Sequence, residues 1–100
     1  MRTEHEIYMD FNRAFKQAQR LRQIASRVSS LANDDVGGTL NQINQNWNGD
    51  NASVFLGKGE TLKGKINKTA GDLNRVAQAI IDIATRTRDA ELAAIQVASD

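Results

Sequence analysis

Along the first half of this chain, apolar or small residues recur at Ile7, Phe11, Ala14, Ala18, Leu21, Ala25, Val28 and Ala32, in alternating steps of four and three. That spacing marks one face of an α-helix; a half-buried strand would alternate at every second residue. Larger apolar side chains widen the stripe, Tyr8 and Phe15 on one side early, Ile24 and Leu31 on the other side later. A seven-residue repeat drifts sideways in this way on a helix of about 3.6 residues per turn, and the drift implies left-handed supercoiling. The opposite face carries Arg13, Lys16, Arg20, Gln23 and Arg27.

At Asn33-Asp34-Asp35-Val36-Gly37-Gly38 the pattern weakens. A glycine inside a helix costs ~1 kcal/mol relative to alanine. Beyond it the spacing resumes at Val36, Leu40, Ile43 and Trp47, and a loop would usually destroy that phase. The reading is one helix over about 4–45, soft or kinked at Gly37-Gly38; a true break there, giving three helices, is the alternative. Trp47-Asn48-Gly49-Asp50-Asn51 then supplies a helix end and a new start over 46–51. Gly49 suits the positive φ of a helix C-terminal cap, and Asp50 or Asn51 suits the next N-cap. A second helix over about 52–96 repeats the spacing at Phe55, Gly59, Leu62, Ile66, Ala70, Leu73, Ala77, Ile80 and Ala84. Gly59 falls on its apolar face, where a small residue suits close helix approach. After Ala84 the stripe degrades, because Thr87 and Glu91 occupy face positions, and the last turns are expected to be loosely held. A short connection leaves successive helices antiparallel neighbours. The expected fold is all-α, a single helical-hairpin domain over 1–100.

The first helix spreads its apolar positions over more than the ~100° that one neighbour covers. A lone hairpin leaves Tyr8, Phe15, Ile24 or Leu31 in water, at roughly 1.5–3 kcal/mol for each large side chain. The pattern therefore calls for a partner hairpin and an elongated four-helix bundle. The expected core and dimer face comprises Tyr8, Phe11, Phe15, Leu21, Ile24, Val28 and Leu31 from the first helix. The second contributes Phe55, Leu62, Ile66, Leu73 and Ile80.

Composition narrows the function further. Thirteen basic against twelve acidic residues give a net charge of +1, which argues against a nucleic-acid binder. There is no cysteine, hence no disulfide and no thiolate metal site. The polar start Met1-Arg2-Thr3-Glu4-His5-Glu6 has no signal-peptide core behind it, and no apolar run is long enough for stable membrane insertion. Groups that could do chemistry are few. His5, the single histidine, reads as a solvated surface residue. Asp34 and Asp35 are adjacent and point in different directions on a helix, so they read as turn or capping residues. Gly57-Lys58-Gly59 lacks the rest of a phosphate loop. The basic face suits a solvated surface or an acidic partner equally. Neither an enzyme, a metal site nor a cofactor is expected. Trp47 stands apart: a tryptophan at a hairpin tip has little core beneath it, and packs across the turn or meets a partner.

Trp47-Asn48-Gly49 at the midpoint of a proline-free, cysteine-free helical hairpin, with Phe55 eight residues on, resembles the WXG family. These are the early-secreted-antigen-like small substrates of bacterial type VII secretion. The resemblance covers essentially the whole chain and implies a hairpin that pairs as a homodimer or as a heterodimer with a related hairpin. It implies export from the bacterial cytoplasm, without a cleaved signal, by a machine driven by a membrane ATPase. Members act as secreted factors or as escorts for a larger toxin and are not enzymes. Trp47 and Gly49 match the family's turn residues. Of the family's Tyr-x-x-x-Asp/Glu export element, Asp89 supplies the acid while Thr85 stands where tyrosine is expected, so the element is degenerate here or a partner chain supplies the aromatic half. That departure weighs toward a partner or escort role, or toward a chain that naturally continues beyond Asp100. Two rivals predict other behaviour: a self-assembling filament or needle subunit would polymerise, and an intracellular coiled-coil adaptor would stay in the cell.

Overall fold

In the computed structural model, which describes the backbone of residues 2–99 and side chains through Ala98, the described residues contain helices and no strand. Helix α1 runs Glu4–Ser30, passes through a wide turn at Leu31–Val36, and continues as α2 over Gly37–Asn46. Helix α3 runs Asp50–Ser99. Two compact units divide the chain: one joins the segment up to Arg22 with that from Asn74 onward, and the other is Gln23–Leu73.

The start of α1 is set by a reciprocal cap. Thr3 Oγ1 accepts from the Glu6 backbone N–H at 3.2 Å and donates to Glu6 Oε1 at 3.1 Å. The Ile7 N–H closes the first turn on the Thr3 carbonyl at 3.1 Å. These bonds satisfy N–H groups that a helix start leaves without partners. Glu4 and Glu6 also place negative charge at the positive end of the helix dipole.

In the first unit α1 and α3 lie antiparallel, since partners on α3 fall in number as those on α1 rise. Arg2 Nε lies 3.7 Å from Glu91 Oε2, the Arg88 guanidinium sits 4.4 Å above the Phe11 ring, and Arg22 hydrogen-bonds Gln78. Arg2 also pairs with Asp10. Exposed ion pairs of this kind contribute ~0–1 kcal/mol. The buried side chains of this unit are Ile7, Ala18 and Ala77.

In the second unit the antiparallel order is marked by Asn67 donating to Asn33 Oδ1 at 3.2 Å and by Gly59 lying against Leu40. Its buried side chains are Ala25, Ala32, Leu40, Ala52 and Ala70. Alanine thus supplies six of the eight buried residues named for the two units, and among the described residues no large side chain is fully buried. The cause lies in the seven-residue recurrence of Ala18 and Ala25 on α1 with Ala32 in the wide turn, and of Ala70, Ala77 and Ala84 on α3. Small residues at the seam leave room for helices to approach closely, and the larger residues on either side are then left at the edge of the contact.

The expected soft point at Gly37-Gly38 lies instead just before those glycines, which begin the regular helix α2. Leu31–Val36 forms a π-helical turn, and the Gly37 N–H reaches back five residues to the Ala32 carbonyl. The physical reason is register. The buried positions Ala25 and Ala32 are seven apart, but the next, Leu40, is eight further on. A regular helix advances about 100° per residue and would carry Leu40 off the face. One widened turn takes up the extra residue and returns Leu40 inward. The last stretch is helical to Ser99, with the stripe interrupted but the helix unbroken.

Candidate functional site

Three residues join the two helices of the second unit. Trp47 ends α2 in an extended conformation (φ −111°, ψ 143°), its N–H still bonded to the Ile43 carbonyl at 2.8 Å. Asn48 follows, and Gly49 takes φ +96°. Gly49 therefore belongs to the entry of α3 rather than to the end of α2: its carbonyl accepts from the Ser53 N–H at 3.3 Å, and Asp50 is already the first helical residue. Asp50 in that first turn meets the positive end of the helix dipole. A β-carbon on Gly49 would find open space, so the constraint is the backbone angle alone. An L-residue in that region costs ~1–2 kcal/mol.

Trp47 packs across the turn. Its indole stands edge-on to the Phe55 ring, with centroids 5.8 Å apart and planes at 88°. This arrangement matches the ring quadrupoles and contributes ~0.5–1.5 kcal/mol beyond the area it covers. Phe55 sits one turn and a half into α3, so the eight-residue spacing from Trp47 is what brings the rings together. Both rings stay about half exposed, Trp47 at 51% and Phe55 at 54%. The pair forms an apolar tip to which a partner has open access.

Thr85 and Asp89 lie in the first unit, four residues apart on α3. Thr85 is half-buried, and the exposed Asp89 carboxylate accepts from Arg88 Nε at 3.1 Å. Asp89 keeps 62% of its side chain in solvent, open to an external donor. Arg88, beside it in sequence, also caps the ring of Phe11, which is stacked on Phe15 at 6.1 Å.

The twelve residues of the expected core and dimer face divide evenly. Phe11, Leu21, Val28, Ile66, Leu73 and Ile80 are half-buried. Tyr8, Phe15, Ile24, Leu31, Phe55 and Leu62 are exposed. The half-buried set flanks the alanine seam, and the exposed set lies one step further round each helix. In the first unit an open groove of about 290 Å³ runs beside the seam, floored by Ile7, Phe11, Ala14, Ile80 and Ile83 and edged by Arg88.

Among the described residues no group of acidic or histidine side chains is arranged to hold a metal ion. Asp34 and Asp35 are both exposed on the π-helical turn. Among the described residues no helix is long and apolar enough to cross a membrane. Arg13, Lys16 and Arg20 line a shallow exposed strip of α1. Comparison with family models, with curated proteins and with solved structures finds no match.

Proposed function

We propose that this chain is a non-enzymatic association module, one helical hairpin of a four-helix bundle, exported by type VII secretion as a dimeric secreted factor or as an escort for a larger effector. One observation carries the association: six of the eight buried residues named above are alanines, while Tyr8, Phe15, Ile24, Leu31, Phe55 and Leu62 stay exposed. Each alanine methyl contributes about 0.8 kcal/mol, and covering the exposed part of each of Tyr8, Phe15, Ile24, Leu31, Phe55 and Leu62 would add roughly 1 kcal/mol. A substantial share of the apolar stabilisation that the sequence encodes is thus left for another surface. A second hairpin, with the same narrow seam and broad flanks, has the shape to cover it.

The export half of the proposal rests on the resemblance carried by Trp47 and Gly49 and on the exposed aromatic tip. Trp47 and Phe55 offer a rigid apolar knob of the kind that anchors protein interfaces, and Gly49 fixes how it is presented. Asp89 supplies an exposed carboxylate as the second recognition point.

Trp47→Ala in a producing bacterium tests that assignment. The variant should keep its helical circular dichroism, because the tryptophan buries little, while export falls by about tenfold or more, the scale of a lost interface anchor. Undiminished export of Trp47→Ala would remove the tryptophan from the recognition surface. Affinity purification of the tagged chain from the same cells identifies the partner as a copy, a sister hairpin or a larger effector.

A further inference from the structure

The connection Trp47-Asn48-Gly49 combines a sequence and a backbone that favour one covalent reaction. Asparagine is among the chemically labile residues. The chain holds nine, and Asn48 is the one that precedes glycine. It is also the one outside helical structure, since the other eight fall in α1, the wide turn, α2 or α3. In a helix the N–H that follows an asparagine is held by a carbonyl one turn back. That restraint reaches Asn46, the last residue of α2, where the next N–H is that of Trp47, bonded to Ile43 at 2.8 Å. Asn51, in the first turn of α3, precedes the buried Ala52. Asn48 escapes both restraints. It and Gly49 are exposed, and among the described residues neither the Gly49 N–H nor the Asn48 carboxamide has a hydrogen-bond partner.

From this geometry we infer that Asn48-Gly49 is a site of spontaneous deamidation whose isoaspartyl product resets the aromatic tip. The inference rests on the turn itself and holds whether or not the chain is exported. The Gly49 nitrogen attacks Cγ of Asn48. A new C–N bond forms, the bond from Cγ to Nδ2 breaks, and ammonia leaves carrying the Gly49 amide proton. The five-membered succinimide so formed takes up one water. Opening at Cγ gives aspartate, and opening at the main-chain carbonyl gives isoaspartate, in which the chain runs through Cβ and Cγ. Water enters and ammonia leaves, with no oxidant or reductant. Glycine favours the step because it has no β-carbon to crowd the attacking nitrogen and rotates freely.

The isoaspartyl link adds one methylene to the main chain between Trp47 and Gly49 and hangs a carboxylate there. Net charge falls from +1 to zero. The edge-on contact of Trp47 with Phe55, centroids 5.8 Å apart, is closed across this link. Lengthening it moves the indole off the Phe55 ring and further into water. Trp47 is the single tryptophan, so its emission reports on the tip alone.

The purified chain, incubated at neutral pH, is sampled by peptide mapping, by labelling with an isoaspartyl-specific methyltransferase, and by tryptophan emission. Asn48 should lose its amide about tenfold or more faster than any other asparagine, a barrier difference of at least ~1.4 kcal/mol. Its rate should lie within about threefold of that in the urea-unfolded chain, because an exposed turn opens at almost no free-energy cost. Emission should shift to the red in step with isoaspartate while helicity holds. Asn48→Gln, whose longer side chain cannot close the five-membered ring, should keep its amide and its emission. Gly49→Ala should slow conversion by about tenfold, again ~1.4 kcal/mol of barrier. An Asn48 that converts only after unfolding overturns the inference. So does faster loss at a helical asparagine, or conversion at Asn48 that leaves emission unmoved. All of these are read on the isolated chain, apart from the export result for Trp47→Ala.

Discussion

Deletion of Asp34 is expected to leave helical content intact and the melting temperature within a few degrees of the parent, whereas deletion of Ser26 is expected to abolish cooperative unfolding. Both residues are exposed, so neither deletion removes a packed side chain. The difference is register. Ser26 lies in regular helix between Ala25 and Ala32, which are buried seven residues apart. Removing it turns everything on one side by about 100°, taking Ala32 and Leu40 off the face that meets α3. Several kcal/mol of packing goes with them, a large part of the ~5–15 kcal/mol that holds a small domain. Asp34 lies in the π-helical turn, which exists to absorb one residue. Without it the turn closes to an ordinary α-turn, and Leu40 lies seven positions from Ala32. Thermal melts followed by circular dichroism check both chains. Equal damage from the two deletions would mean that the wide turn does not serve register.

Gly59→Ala is expected to destabilise the chain by about 1–3 kcal/mol, while Gly57→Ala and Gly64→Ala each stabilise it by up to ~1 kcal/mol. The three glycines share α3 and are chemically identical. Glycine-to-alanine in a helix interior normally gains, because the flexible glycine loses more backbone freedom on folding. At Gly57 and Gly64 a β-carbon would meet nothing within 4 Å. At Gly59 it would overlap the Leu40 side chain, whose Cδ1 and Cγ both come within 3.1 Å. Leu40 is the one large residue among the buried side chains named for its unit, so it has little room to withdraw. Urea titration of the three variants compares the midpoints directly. A gain at all three sites would show that the helices separate easily at Leu40.

The all-helical build was legible because nothing in the chain contradicts it: the three-and-four spacing runs on both sides of Trp47-Asn48-Gly49 and proline is absent. The turn was legible for the same reason, though the role of Gly49 was not. A glycine after a helix suits a C-terminal cap, and only the backbone angle and the Ser53 hydrogen bond assign it to the next helix. The π-helical turn had a signal that spacing alone understates. Val28, Ala32, Val36 and Leu40 step by four, four and four where the repeat demands a three. The Thr3 cap was also readable, as Thr3 followed by Glu6 immediately before Ile7. What the stripe could not show was which of its members sit inside. Alanine and leucine count alike in an apolar pattern, and the choice of the alanine seam over Leu21, Val28 or Ile80 depends on how closely two helices approach.

The alanine seam also shapes the thermodynamics of the isolated hairpin. Methyl groups release little apolar surface to water when they separate, and that surface dominates the heat-capacity change of unfolding. The free hairpin therefore has a shallow dependence of stability on temperature. Once its flanks are covered by another molecule, the curve steepens and its height rises with protein concentration. If the chain associates as proposed, it is soft when dilute and firm when gathered.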